Sequence, residues 1–337
     1  MNRNLTVSMQ DVAREAGVSP QTVSRVTNGS KSVRDETRVR VEEAMDKLGY
    51  RPNYAARALK YGRFNDIGVV VFSLYDYGDS RILDGIVAAA VDEGYAVTVR
   101  TMGVGKERSL QAAVERMAQL PVDGIIVVLQ QDVPDFDTFV PPKEMPVVLV
   151  CEGASTNCPT VDADQYGCST SIVDYLLEQG HSTVHHIAGP MQSRAARSRL
   201  QGWNDQLDRH GIAAPQALIG DWGADSGYRA GFELAHDPEC TAVYAANDQM
   251  AYGAILGLKD GGRRVPEDVS IVGVDDSLRG IVPKLDLTTM RMRFDTIGHE
   301  AFTMIRKQCE GENVPVNVKT VIPGELIERG SVARYPR

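Results

Sequence analysis

At 337 residues the chain is long enough for two or three compact units of roughly 100–200 residues each. Hydrophobic residues make up 43% and charged residues 24%, which excludes a disordered chain, and no run approaches the ~18 apolar residues of a membrane span. The net charge of −9 argues against a nucleic-acid partner only on average. Residues 1–63 hold 12 basic against 7 acidic side chains, a net +5, and the remainder holds 24 against 38, a net −14. A basic head on an acidic body places a candidate phosphate-binding surface at one end.

Ser8, with Asp11 three residues later, reads as an N-cap with an acidic capping-box partner. The helix it opens carries Val12, Ala13 and Ala16 on one face and stops at Gly17, where a left-handed turn is cheap. Ser19 then caps a second helix with Pro20 at its first position, where a missing N–H is harmless. Two short helices around a tight glycine turn form a helix-turn-helix. A third helix is expected over about 35–48, with Val39, Val41, Ala44, Met45 and Leu48 available to cover the first two.

The stretch Asp11-Val-Ala-Arg-Glu-Ala-Gly-Val-Ser-Pro-Gln-Thr-Val-Ser-Arg-Val-Thr-Asn28, followed by Gly49-Tyr-Arg-Pro-Asn53, resembles the headpiece of the lac repressor family without gaps. The resemblance implies that Gln21 and Arg25 read base edges in the major groove, with Pro20 at the first reading position. Glutamine pairs bidentately with adenine and arginine with guanine, so long planar side chains suit that role. Ser19, Thr22, Ser24 and Asn28 are implied as further DNA contacts. Asn53 to Leu59 resembles the family's hinge helix, which is too short to be stable alone, since isolated helices below ~12–15 residues are marginal. Asn53 and Ala56 would meet DNA there, and Leu59 would wedge between base pairs of the minor groove. The alternative is a plain linker, with Leu59 packed on the core.

After Phe64, short apolar runs alternate with amphipathic helices. Strands are expected at about 67–72, 96–100, 124–129, 146–151, 184–188, 242–246 and 269–274. Helices are expected at about 81–93, 107–119, 165–179, 193–210, 225–236 and 249–261. This pattern predicts a multi-domain chain, an all-α headpiece followed by an α/β sensor of two parallel-sheet subdomains. The expected bounds are a headpiece at 1–52, a hinge at 53–63 and a sensor at 64–337. Subdomain 1 would hold about 64–162 and 292–318, and subdomain 2 about 163–291 and 319–330. Ligands on such sheets bind beyond the carboxyl ends of the strands.

Those ends carry the resemblance again, in Ala188-Gly-Pro190, Ala195 to Trp203, Gly220-Asp-Trp222, Ala246-Asn-Asp-Gln-Met-Ala251 and Ile271 to Asp276. They are closer to the family's eponymous member than to a generic one. The sensor is thereby similar to periplasmic sugar-binding proteins, and Arg199, Asn247 and Asp275 are implied as polar ligand contacts with Trp222 as an aromatic platform. A pyranose offers vicinal hydroxyls to such groups and a C–H-rich face to an indole. Ser80, Ile82 and Phe294 match positions lining the same cleft. Glu152 stands where the eponymous member has a sugar-touching aspartate, so ligand identity does not transfer directly. Each residue also has a plainer reading: a cap or turn for Asn247 and Asp275, an ion pair for Arg199, a core position for Trp222.

His181, His185 and His186 suggest no metal site, because the last two alternate across a strand. Phosphate-loop and catalytic-triad motifs are missing, and the adjacent Asp275 and Asp276 should diverge, so neither catalysis nor a cofactor is expected. Cys151, Cys158, Cys168, Cys240 and Cys309 form no CxxC pair, which points to reduced thiols in a cytoplasm. The start, Met1 to Leu5, has no apolar core of a secretory signal, and the end at Arg337 no heptad tail. The resemblance then implies a dimeric, cytoplasmic repressor on a pseudo-palindromic double-stranded DNA operator, with no membrane partner. A small sugar would release it, a galactoside being the best single choice. The alternative is a purine or other metabolite acting as co-repressor.

Overall fold

The computed structural model describes residues 7–27, 30, 32–50, 62–102, 109–155 and 157–335, and the chain divides into two compact units, Met1–Phe64 and Asn65–Arg337. In the first unit the capping box forms: the Ser8 hydroxyl accepts from the Asp11 amide at 3.3 Å, and Asp11 accepts from the Ser8 amide at 3.0 Å. It opens α1 (Met9–Ala16), which ends at Gly17 with φ of 65°. Ser19 caps α2 (Pro20–Thr27) by accepting from the Thr22 amide at 3.2 Å. With α3 (Asp35–Leu48), these helices bury Val12, Ala13, Ala16, Val23, Val26, Val41 and Ala44 in a small common core. Val39 departs from expectation and is 51% exposed. It lies two positions from Val41, hence on the opposite side of a 3.6-residue turn.

The second unit begins with β1 (Asp66–Val71), α4 (Tyr77–Asp92), β2 (Ala96–Thr101), α5 (Leu110–Ala118), β3 (Gly124–Leu129), β4 (Val147–Cys151) and β5 (Thr160–Ala163). A second series follows: α6 (Gln165–Glu178), β6 (His185–Ala188), α7 (Arg194–Arg209), β7 (Leu218–Ile219), α8 (Ala224–Leu234), β8 (Ala242–Ala245), α9 (Asp248–Asp260) and β9 (Ser270–Val274). The chain closes with β10 (Thr288–Arg291), α10 (Phe294–Cys309), β11 (Lys319–Ile322) and β12 (Glu325–Ile327).

Two six-stranded sheets result, in the orders β11-β5-β4-β3-β1-β2 and β12-β10-β9-β8-β6-β7. All pairings are parallel except β12 with β10. β3 and β4 are buried along their whole length, as strands covered on both faces by helices must be. One apolar cluster runs through both sheets, from Ile67 and Val128 through Phe294 and Met290 to Val272 and Tyr244.

The expected last crossing, after residue 318, is corrected by strand pairing. β11 pairs with β5, from Lys319 opposite Thr160 to Ile322 opposite Ala163, so the chain changes sheet between Ile322 and Glu325. An edge strand with alternating burial carries no local sign of which sheet it joins. Among the described residues no helix is long and apolar enough to cross a membrane.

Candidate functional site

In the first unit, α2 turns Val23 and Val26 inward, and that packing leaves the opposite face outward. Ser19, Pro20, Gln21 and Arg25 are exposed, while Thr22 and Ser24 are half-buried. Gln21 and Arg25, four residues apart, share one face. The Ser19 and Thr22 hydroxyls lie 3.0 Å apart and hold the start of the helix. Beyond α2, the Ser30 amide donates to the Arg25 carbonyl at 2.9 Å, and Arg38 of α3 donates to the Ser30 carbonyl at 2.7 Å. These bonds fix α2 while leaving the Gln21 and Arg25 side chains outward. Asn28, Asn53, Ala56 and Leu59 lie outside the described residues.

In the second unit, Arg199 falls on the buried face of α7, at the helical spacing of Ala195, Ala196, Gly202 and Trp203, and is 4% exposed. A guanidinium so deep needs partners, and it has them. Nε donates to Gln165 of α6 at 2.7 Å, Nη1 to the Ala246 carbonyl after β8, and Nη2 to Asp275 after β9 at 3.4 Å. Burial pushes the Asp275 carboxyl up from its ordinary range, and Arg199 draws it partly back. Asn247, next to Ala246, caps α9 by accepting from the Met250 amide at 2.9 Å. Its Nδ2 donates to the Trp222 carbonyl at 3.0 Å. The Trp222 ring lies 5.8 Å from the Arg199 guanidinium.

Arg199, Trp222, Asn247 and Asp275 are thus one connected set beyond the carboxyl ends of β6, β7, β8 and β9. Asn247 also serves as the plainer cap, and the ion pair that was the plainer reading of Arg199 is the one it makes, buried, with Asp275. The indole reaches its place because residue 189 is glycine: a Cβ there would lie 2.3 Å from the Trp222 ring. Trp222 itself has φ of 72°. Gln165 and Gly189 escaped the sequence reading as individual site residues. The signal for Gly189 was present in Ala188-Gly-Pro190, a strand end running straight into a turn.

The lip from the first subdomain is more apolar. Ile82 is 1% exposed and Phe294 7%, both within the apolar core. The Ser80 hydroxyl donates to the Tyr77 carbonyl of its own helix at 2.8 Å. Tyr77, not singled out from sequence, stacks edge-on against Phe294 at 6.1 Å, and the charges of Asp275, Asp248 and Asp276 help raise its phenol, after burial. That field places the start of α4 near the ends of the second sheet. Glu152, at the end of β4, is raised by burial and accepts a hydrogen bond from Ser198 of α7.

The adjacent pair diverges as expected. Asp276, with φ of 53°, turns to Arg291 and Arg329, each at 2.7 Å, away from the Arg199 partner Asp275. His185 meets Asp237 at 3.1 Å, and His186 bonds the Tyr244 carbonyl at 2.9 Å. Burial holds the His186 imidazole down at about 3. Among the described residues no group of three or more His, Cys, Asp or Glu side chains could hold a metal ion. The five cysteines form no disulfides among the described residues, and burial pushes Cys151 up to about 12.

Residues 8–53 match the family described as bacterial regulatory proteins, lacI family, and residues 173–332 match the periplasmic binding protein-like domain. The chain is 32% identical to the lactose operon repressor of Escherichia coli (strain K12) over 337 residues, covering 96% of this chain and 90% of that protein. It is 31% identical to the HTH-type transcriptional repressor PurR of Klebsiella pneumoniae (strain 342), covering 98% of each. Among solved structures it superposes on the lac repressor dimer bound to operator and the anti-inducer ONPF, with a TM-score of 0.81 and 30% identity. That likeness covers 97% of this chain and 99% of the other.

Proposed function

The chain belongs to the lacI family of bacterial regulatory proteins and is a DNA-binding transcriptional repressor; from that premise we propose that a small sugar, a galactoside, releases it from its operator. The protein acts as a cytoplasmic homodimer on a pseudo-palindromic site, with Gln21 and Arg25 reading base edges. Asn28, the hinge residues Asn53 and Ala56, and the wedge Leu59 complete the contact with DNA.

The observation that carries the ligand class is the connected set of Arg199, Trp222, Asn247 and Asp275 at the carboxyl ends of one sheet. A guanidinium, an amide and a carboxylate around one indole suit vicinal hydroxyls and an apolar sugar face. A site built to hydrogen-bond a hydroxyl rejects the isomer that leaves its polar groups unpaired. The choice of galactoside rests on similarity to a lactose operon repressor. Sugar seated between the subdomains changes their mutual orientation and weakens operator binding; by linkage, operator weakens sugar binding by the same factor.

Calorimetry of the full chain against galactosides, glucosides, fructosides and purines tests this, with operator retention measured alongside. Galactoside binding that releases operator is expected. Glucoside binding alone overturns only the choice of sugar. Purine binding that strengthens operator retention overturns release altogether and makes the ligand a co-repressor.

A further inference from the structure

Three aspartates of the second unit are almost wholly buried: Asp79, Asp162 and Asp248, at 1%, 4% and 2% exposure. Burial pushes all three carboxyls up to about 7, and two of them have hydrogen-bond donors to hold them. Asp248 accepts from Thr289 at 2.6 Å and from the Ser277 amide at 2.7 Å. Asp162 has the acid Glu152 near it but also the Ala163 amide as donor and the charges of Lys319 and Arg199. Asp79 differs. One of its oxygens receives only a long 3.5 Å contact from the Ser73 amide, and the other has no partner. Its charged neighbour is another acid, Asp76, and burial pushes its carboxyl up to about 7.

A buried carboxyl oxygen without a donor is costly, and folds retain one where something else supplies the donor. The location says what. Asp79 lies in the first turn of α4, just beyond the carboxyl end of β1. On the same turn, Tyr77 rests against Phe294 and feels Asp275, Asp248 and Asp276 from the second sheet. The first turn of α4 therefore borders the crevice whose other side holds Arg199 and Asp275, and Asp79 belongs to that turn. Arg199 cannot serve it, being bonded to Gln165, Ala246 and Asp275. Glu152 adds a second half-buried acid to the same wall.

Taking this crevice as the effector site, as proposed above, we infer that Asp79 selects the effector by charge. It accepts a hydrogen bond from a hydroxyl or ammonium of a neutral or cationic molecule and turns away phosphate esters and carboxylates. A second anion beside an unmatched carboxyl in a dry crevice is repelled far more strongly than in water. Sugars enter this site unphosphorylated.

The test pairs calorimetry with thermal denaturation of the full chain. The probes are galactose with galactose 6-phosphate, glucose with glucose 6-phosphate, and adenosine with its 5′-monophosphate. The unphosphorylated member of whichever pair binds should bind at least about tenfold more tightly. Asp79→Leu should weaken that member by about tenfold or more, the worth of one hydrogen bond to a charged group. Asp79→Asn should weaken it less. In the ligand-free protein both substitutions should raise Tm by roughly 2–4 °C, since each removes an unpaired acid. A phosphate ester that binds more tightly than its parent overturns the inference. So does a fall in Tm for both variants, which would make Asp79 a structural residue. Binding of adenosine in preference to its monophosphate, with no sugar bound, would refute the sugar reading and leave the role of Asp79 intact.

Discussion

The two compact units handle their functional side chains in opposite ways. In the helical unit, a core of small and β-branched residues (Val12, Ala13, Ala16, Val23, Val26, Val41, Ala44) takes one face of each helix. Gln21 and Arg25 stand outside it, free of the packing. In the α/β unit, Arg199 and Asn247 are buried and Asp275 half-buried, and they are bonded to one another or to the strand ends that carry them. Recognition of a long duplex needs side chains that project. Recognition of a small molecule needs side chains that converge where water is scarce, and convergence makes each of them part of the fold. Function and stability should therefore separate in the first unit and travel together in the second.

The largest effect expected from this contrast is at Arg199. Arg199→Ala leaves Asp275 buried and unmatched and strips the Ala246 carbonyl of its donor, so unfolding free energy should fall by about 3–5 kcal/mol. Effector response should vanish while operator binding persists at temperatures where the variant is folded. Urea denaturation alongside an operator-release assay reads both, and a variant that loses response at full stability would break the comparison.

At Arg25 the effect should be smaller and purely functional. Arg25→Ala should lower specific operator affinity by about 1–3 kcal/mol and shift stability by no more than about 0.5 kcal/mol. Equal losses on operator and random DNA would show a phosphate contact in place of base reading.

The smallest effect refines the sensor side through pH. The Asp79 carboxyl is raised in the folded protein to about 7 from an ordinary 3.8. Its folded state therefore holds a proton that the unfolded chain releases, and the stability it contributes is full below pH 3.8 and lost as pH rises through 7. The advantage of Asp79→Asn over the parent should be near nil at pH 4 and reach about 1 kcal/mol above pH 7, reduced because the amide is also incompletely bonded. Denaturation curves at pH 4, 5.5, 7 and 8 follow it; an advantage that shrinks as pH rises contradicts the assignment.

Much of the site was legible before any coordinates. The Ser8 and Ser19 caps, the Gly17 stop and the apolar spacing of α2 are local, and they already place Gln21 and Arg25 outside. The four sensor residues that form one connected set were each at a strand end or on the following helix. What was misread depended on neighbours distant in the chain. Val39 is apolar, yet the phase of α3 set by Val41 and Ala44 turns it outward. The expected strands omitted β5, β7, β10, β11 and β12, which are two to four residues long and too short for a period to emerge.

The amino-acid sequence by itself determined the helix ends, the central strands, the basic head and acidic body, and the residue types gathered at the strand ends. These follow from caps, periodicity and composition, whose physics acts within a few residues. Tertiary structure alone decided that β11 joins the first sheet, that Trp222 lies on Gly189, that Arg199 is shared by Gln165, Ala246 and Asp275, and that Asp79 is left without a donor. Each of those is set by what long-range pairing brings within about 3 Å, the reach of a hydrogen bond, and no local pattern encodes which distant group that will be.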